Sequence, residues 1–134
     1  MNNQESEYQI DVEPQKYISP ELNACTFKVG SQTFSIPLQY VKEITEISEI
    51  FPLPLTPPYV DGVVHLRGYT IPVVNIGRIK NISEEQKKVR QLIILDLGKE
   101  KFGIAVNEMH DLNAEFSGEM INVKKFYETY RVAP

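Results

Sequence analysis

The stretch that decides the fold is Pro58-Tyr59-Val60-Asp61-Gly62-Val63-Val64-His65-Leu66-Arg67-Gly68-Tyr69-Thr70-Ile71-Pro72-Val73-Val74-Asn75-Ile76. Its first half, YVDGVVHLRG, runs into a second β-rich half, YTIPVVNIGR, and the two meet at Arg67-Gly68. Glycine at that joint supplies the positive φ that tight turns require, so the simplest reading is a hairpin. Just upstream, FPLPLTPP carries Pro52, Pro54, Pro57 and Pro58. Each proline removes a backbone donor and fixes φ, which makes this segment an extended loop or sheet edge and never a central strand.

The same alternation extends outward in both directions. Ala24, Thr26 and Lys28 interleave with Cys25, Phe27 and Val29; Gly30-Ser31 follows, and then Phe34 to Ile36, which together form a second hairpin signal. Between Tyr40 and Ile47 the spacing of Val41, Ile44 and Ile47 suits a strand with a bulge or a short helix, and periodicity does not separate the two. Residues 81–90, NISEEQKKVR, read as a solvated connection with room for a helical turn. Gln91 to Leu97 is almost continuously apolar, as a strand buried on both faces should be, and Gly98 to Lys101 turns it into Phe102-Gly103-Ile104-Ala105-Val106. Met120 to Val132 reads as a strand passing into a short helix. Many short strands with glycine and proline at the joints, and little helical period, indicate an all-β barrel or sandwich.

A chain of 134 residues, 42% hydrophobic and 24% charged, fits one folded domain with its own core. Its charge of −4 is uneven: residues 1–21 hold Glu5, Glu7, Asp11, Glu13 and Glu21 against Lys16 alone, leaving 13 acids and 13 bases for residues 22–134. The organisation expected is an acidic flexible tail, 1–21, followed by a single domain, 22–134. A formally neutral body with an acidic tail is a poor partner for nucleic acid, whose binding rests on lysine and arginine displacing phosphate counterions. Apolar runs of about 18 to 20 residues, as a membrane-spanning helix needs, are absent from the sequence, and the N-terminus lacks a basic region followed by an apolar one. The single cysteine agrees with a reducing compartment, so a cytoplasmic location is expected.

Chemistry is sparse. One cysteine and two histidines 45 positions apart do not make a zinc site, and no cofactor is expected. Cys25 reads as a small core residue, His65 as a partly buried histidine beside a turn, and His110-Asp111 as a solvated loop pair. Glu43, Glu46 and Glu49 recur every three residues, which by itself describes a solvated face. The phosphate-cradling patterns GxxxxGK[ST] and GxGxxG do not occur.

The opening stretch resembles the signature of CheW-like domains: a proline, a short segment ending in Gly-Val, then Leu-Arg-Gly, then an Ile-x-Pro-Val-Val-Asp-Leu strand. Upstream, Phe27-Lys28-Val29-Gly30 with Phe34-Ser35-Ile36-Pro37 is similar to the opening hairpin of that family, and Val41-Lys42-Glu43-Ile44 to its Val-x-Glu-Ile segment. Downstream, Gln91 to Leu97, Phe102 to Val106 and Asp111-Leu112 follow in the family's order. Two departures stand out. Asn75 replaces the usual aspartate, and the interval from Leu112 to Met120 is much shorter than the family's.

The resemblance implies two five-stranded SH3-like barrels on a common core, the second of them shortened. It further implies a chemotaxis signal-transduction adaptor that catalyses nothing and joins the regulatory domain of a CheA-type histidine kinase to the cytoplasmic tip of chemoreceptors, with no nucleic acid and no membrane insertion. Arg67 and Glu43 match family positions of partner contact; Arg67 has the intramolecular alternative of pairing with Glu43 itself. Val41, Ile44 and Leu66 are expected to line an apolar partner patch, core packing claiming at least one of them. Gly62 and Gly68 belong to the same partner region, chiefly by shaping its backbone. The competing readings are a small hydrolase or ligand-binding enzyme built on Cys25, His65 and an acid, a nucleic-acid-binding barrel, and a related adaptor serving a pathway other than chemotaxis.

Overall fold

A computed structural model describes residues 23–85, 87–114 and 118–131, with backbone only for 110–114. The acidic segment 1–21 lies outside the described residues. Among the described residues nine strands and two helices follow one another: β1 (Ala24–Val29), β2 (Gln32–Pro37), a 3-10 turn (Leu38–Tyr40), β3 (Val41–Ile47), β4 (Val60–Leu66), β5 (Tyr69–Val74), α1 (Ile76–Lys80), β6 (Arg90–Asp96), β7 (Lys101–Val106), β8 (Met109–Ala114), β9 (Glu119–Met120) and α2 (Val123–Tyr130). They form a five-stranded sheet of order β3-β6-β7-β5-β4 and a four-stranded sheet of order β8-β1-β2-β9. The three hairpins read from the sequence are all present, as β1-β2, β4-β5 and β6-β7. The smaller sheet is the shortened one: its fourth strand has two residues, which run parallel to Phe34 and Ser35 of β2.

Two apolar clusters explain why the sheets hold together. Strand β6 sends Ile93 and Leu95 one way and Leu92 and Ile94 the other, all of them at most 1% exposed. The first pair joins Cys25, Phe27, Phe34 and Ile36 of the smaller sheet in a common core, and the second pair fills the concave side of the larger sheet with Val64, Ile71, Val73 and Ala105. Strand alternation places successive residues on opposite faces, so a strand apolar at every position must be covered twice. α2 closes one side of the common core, with Phe102 stacked on Phe126 at 5.9 Å and Tyr59 edge-on to Tyr130 at 5.1 Å.

The larger sheet curls. Four residues beyond β3, Phe51 exchanges both backbone hydrogen bonds with Val63 on the outer edge of β4, at 2.9 and 2.8 Å, so the chain leaving one edge strand is tied to the other. Gly62 makes this approach possible. Its φ is +141° and a Cβ there would lie 2.2 Å from the Phe51 carbonyl oxygen. The proline segment contains no regular strand, as its composition requires, but it is not extended throughout: it turns at Pro54-Leu55 and again at Pro58-Tyr59, where the Val60 amide donates to the Pro57 carbonyl at 3.0 Å, and Leu55 stands fully exposed at φ 60°.

Two sequence expectations need adjustment. The helical turn placed within 81–90 is found just before it, at Ile76–Lys80, because Asn75 caps that helix by accepting a hydrogen bond from the Arg78 amide at 3.1 Å. The family-like strand therefore stops at Val74 and does not reach Ile76. The 40–47 ambiguity resolves as a strand with a bulge between Val41 and Glu43.

Gly62→Ala is expected to cost more than 2 kcal/mol in urea unfolding, from positive-φ strain and backbone collision together. Gly68→Ala, whose Cβ would meet nothing within 4 Å, should lose only about 1 kcal/mol.

Candidate functional site

Arg67 and Gly68, at φ 49° and 81°, form a two-residue turn between Leu66 and Tyr69. Positive φ at both central residues is the hairpin turn whose twist matches the flanking strands. It lifts the Arg67 side chain clear of the sheet, 64% exposed, and over β3, where Nη1 donates to Oε2 of Glu43. β3 and β4 are the outermost strands of the sheet order, so this pair meets only because the sheet curls. Beneath it lies a shallow recess, the open mouth of the inner core, floored by Leu66, Ile71 and Ile94 and rimmed by Lys42, Glu43, Arg67, Tyr69 and Lys101. The Lys101 ammonium sits 4.6 Å from the Tyr69 ring centre and 3.9 Å from Asp96. The recess thus offers a small apolar floor under a rim of three cations and a half-exposed tyrosine.

The seven residues singled out from the sequence are divided by the fold. Glu43, Leu66, Arg67 and Gly68 come together at the recess. Val41 and Ile44 are half-buried and pack on the common core. The bulge explains this: the extra residue lets positions three apart in β3 face the same side. Gly62 is buried against Phe51 and shapes the strand that carries Leu66 and Arg67. Lys42, Tyr69 and Lys101 were missed. Tyr69 was within reach of the alternation rule, since it pairs with Leu66 across the turn; Lys101 is the first residue of β7, a neighbour that only the topology supplies.

The substitution at Asn75 has a local cause. Its amide, 8% exposed, donates to both carboxylate oxygens of Asp61, at 3.2 and 3.4 Å, and Asp61 lies 3.8 Å from Arg90. An aspartate here would set carboxylate against carboxylate in a nearly dry position.

Among the described residues nothing gathers into a reaction centre. Cys25 is fully buried in the common core, and burial pushes its thiol up to about 12. His65 is exposed, not partly buried as expected, with Nδ1 3.2 Å from the Thr70 hydroxyl and its ring beside Phe51. The two are on different sheets, so the hydrolase reading loses its proposed pair. His110 has no described side chain. Among the described residues no group of three or more His, Cys, Asp or Glu is placed to hold a metal, and no helix is long and apolar enough to cross a membrane.

A curled five-stranded sheet and a smaller companion sharing one core, without a catalytic constellation among the described residues, define a paired SH3-like β module. Residues 23–114 match the CheW-like domain, and the chain belongs to that family. It is 29% identical over 89 residues to the chemotaxis protein CheW of Thermotoga maritima, covering 66% of this chain and 59% of that one. Over 87 residues it is 32% identical to CheW of Rhizobium meliloti, covering 64% and 56%. The chain therefore spans little more than half the length of these curated relatives. The crystal structure of the scaffolding protein TtCheW from Thermoanaerobacter tengcongensis superposes with a TM-score of 0.62 at 23% identity, over 76% of this chain and 68% of that chain, a likeness of fold.

Two outcomes follow from the buried polar groups. Asn75→Asp should destabilise the protein by about 1–3 kcal/mol in urea unfolding at neutral pH. Cys25 should resist thiol reagents in the folded protein at pH 8 and react once urea unfolds it. Because its folded pKa stands above the ordinary value of 9.0, the stability it contributes is complete below pH 9 and declines as pH rises toward 12.

Proposed function

We propose that this chain is a cytoplasmic, non-enzymatic adaptor for chemotaxis, which couples chemoreceptors to a CheA-type histidine kinase by binding the receptor's cytoplasmic tip and the kinase's regulatory domain. The observation that carries this reading is the family match over residues 23–114, with the motif-bearing hairpin folded into an exposed charged turn. Its supports are the relatives named as chemotaxis proteins and an arrangement suited to docking and not to bond chemistry. On this reading Leu66, Ile71 and Ile94 supply apolar contact area, and Arg67, Lys42 and Lys101 select an acidic partner surface. Glu43 holds the Arg67 fork over the recess until a partner carboxylate replaces it, and Gly68 keeps the turn narrow. Val41, Ile44 and Gly62 act from beneath, by fixing the strands that carry the rim. An internal pair this exposed adds little to stability, so its residues are available for recognition.

The test is sedimentation of the protein with the kinase regulatory domain and a receptor-tip fragment, where failure of any complex to form defeats the adaptor reading. Arg67→Glu should weaken assembly by tenfold or more, since like-charge juxtaposition costs several kcal/mol, while stability stays within about 0.5 kcal/mol. The charge swap Glu43→Arg with Arg67→Glu rebuilds the internal pair but should not restore binding. Full recovery in the swap would mean that Arg67 matters only through Glu43.

A further inference from the structure

A second groove lies on the opposite element set, between α1, β9 and α2. Ile79, Met120, Phe126 and Tyr130 line it, Lys80 and Lys125 stand at its rim, and Met120 is 59% exposed. β9 forms one end of its sheet order, so its outer edge meets no strand among the described residues. The elements framing the groove are positive on balance: Arg78 and Lys80 on α1, and Lys124, Lys125 and Arg131 on and just after α2, stand against Glu128 and against Glu119 of β9, which lines the groove and pairs with Lys80 at 2.6 Å.

We infer that this groove is the docking site of residues 8–13 of the same chain. Three observations select this occupant. The charge is complementary: residues 1–21 hold five acids and one base, while the elements framing the groove carry five cations against Glu119 and Glu128. The local pattern fits, for Tyr8, Ile10 and Val12 alternate with Gln9, Asp11 and Glu13. An extended segment of that kind presents three apolar side chains to the groove and its two acids outward to the flanking lysines. The reach is sufficient. Asn23 enters β1 at the Ala24–Pro37 pair, and Phe34, which lines the groove, is three residues along β2 and adjacent to β9. That is about 10 Å of strand and one inter-strand spacing of about 5 Å, whereas residues 14–22 can span about 30 Å. A second copy is the poorer occupant, because a symmetric pairing through this face would oppose lysine to lysine.

The experiment uses the full chain, labelled with 15N and carrying a nitroxide at Ser6→Cys; buried Cys25 stays unlabelled. Expected is selective broadening of the amide signals of Lys80, Met120 and Lys125 at low salt. It should be relieved by Asp11→Lys with Glu13→Lys, by Lys80→Glu with Lys125→Glu in a protein of unchanged melting temperature, and by about 1 M salt, where the Debye length falls to about 3 Å. Broadening that is uniform, absent, or centred on the Arg67 recess overturns the inference. So does broadening seen only between labelled and 15N chains in a mixed sample, which would assign the groove to a second copy.

Discussion

Two-sided burial of β6 is the constraint on which the rest of the structure depends. Leu92 and Ile94 look into the larger sheet while Ile93 and Leu95 look into the core shared with the smaller one. Each face needs its own cover, and neither sheet alone provides both. The larger sheet must curl around Leu92 and Ile94, and the β1-β2 hairpin must lie across Ile93 and Leu95. Burial of each such side chain contributes about 1.5–3 kcal/mol, so four on one strand outweigh any polar contact at the surface.

The recess is a by-product of that curl. A flat sheet of order β3-β6-β7-β5-β4 would hold Glu43 and Arg67 at opposite edges, three strands apart. Curling brings them into contact, and the missing Cβ of Gly62 lets Phe51 tie the edges together. The exposed pair therefore reports on closure more than it produces it. This separation of roles lets the rim serve recognition while the interior carries stability. The buried polar set of Asn75, Asp61 and Arg90 is the opposite case. There a neutral amide in place of an acid keeps a nearly dry carboxylate supplied with a donor, at no electrostatic conflict.

The two sheets are unequal in what they leave open. In the larger one Phe51 draws the edges together, whereas the smaller ends at a two-residue strand with a positively framed groove beyond it. The uneven charge of the chain acquires a spatial meaning from this, since within the neutral total of residues 22–134 the groove's framing elements hold five cations against Glu119 and Glu128. Net charge excludes broad functional classes, but recognition depends on where the charge is placed.

The sequence by itself determined the β class, the three hairpins, the inertness of the proline segment as a strand, the buried character of 91–97 and the family. All of these rest on local periodicity, turn chemistry and motif order, which are written in neighbouring residues. Only the tertiary structure decided that Val41 and Ile44 turn inward across a bulge while Glu43 turns out, that Gly62 serves Phe51, and that Lys101 and Tyr69 stand beside Arg67. It likewise placed His65 in solvent and moved the helical turn to Asn75. Those facts depend on contacts between segments tens of residues apart, made when two apolar faces of one strand are covered at once, and local pattern carries no record of which distant segment does the covering.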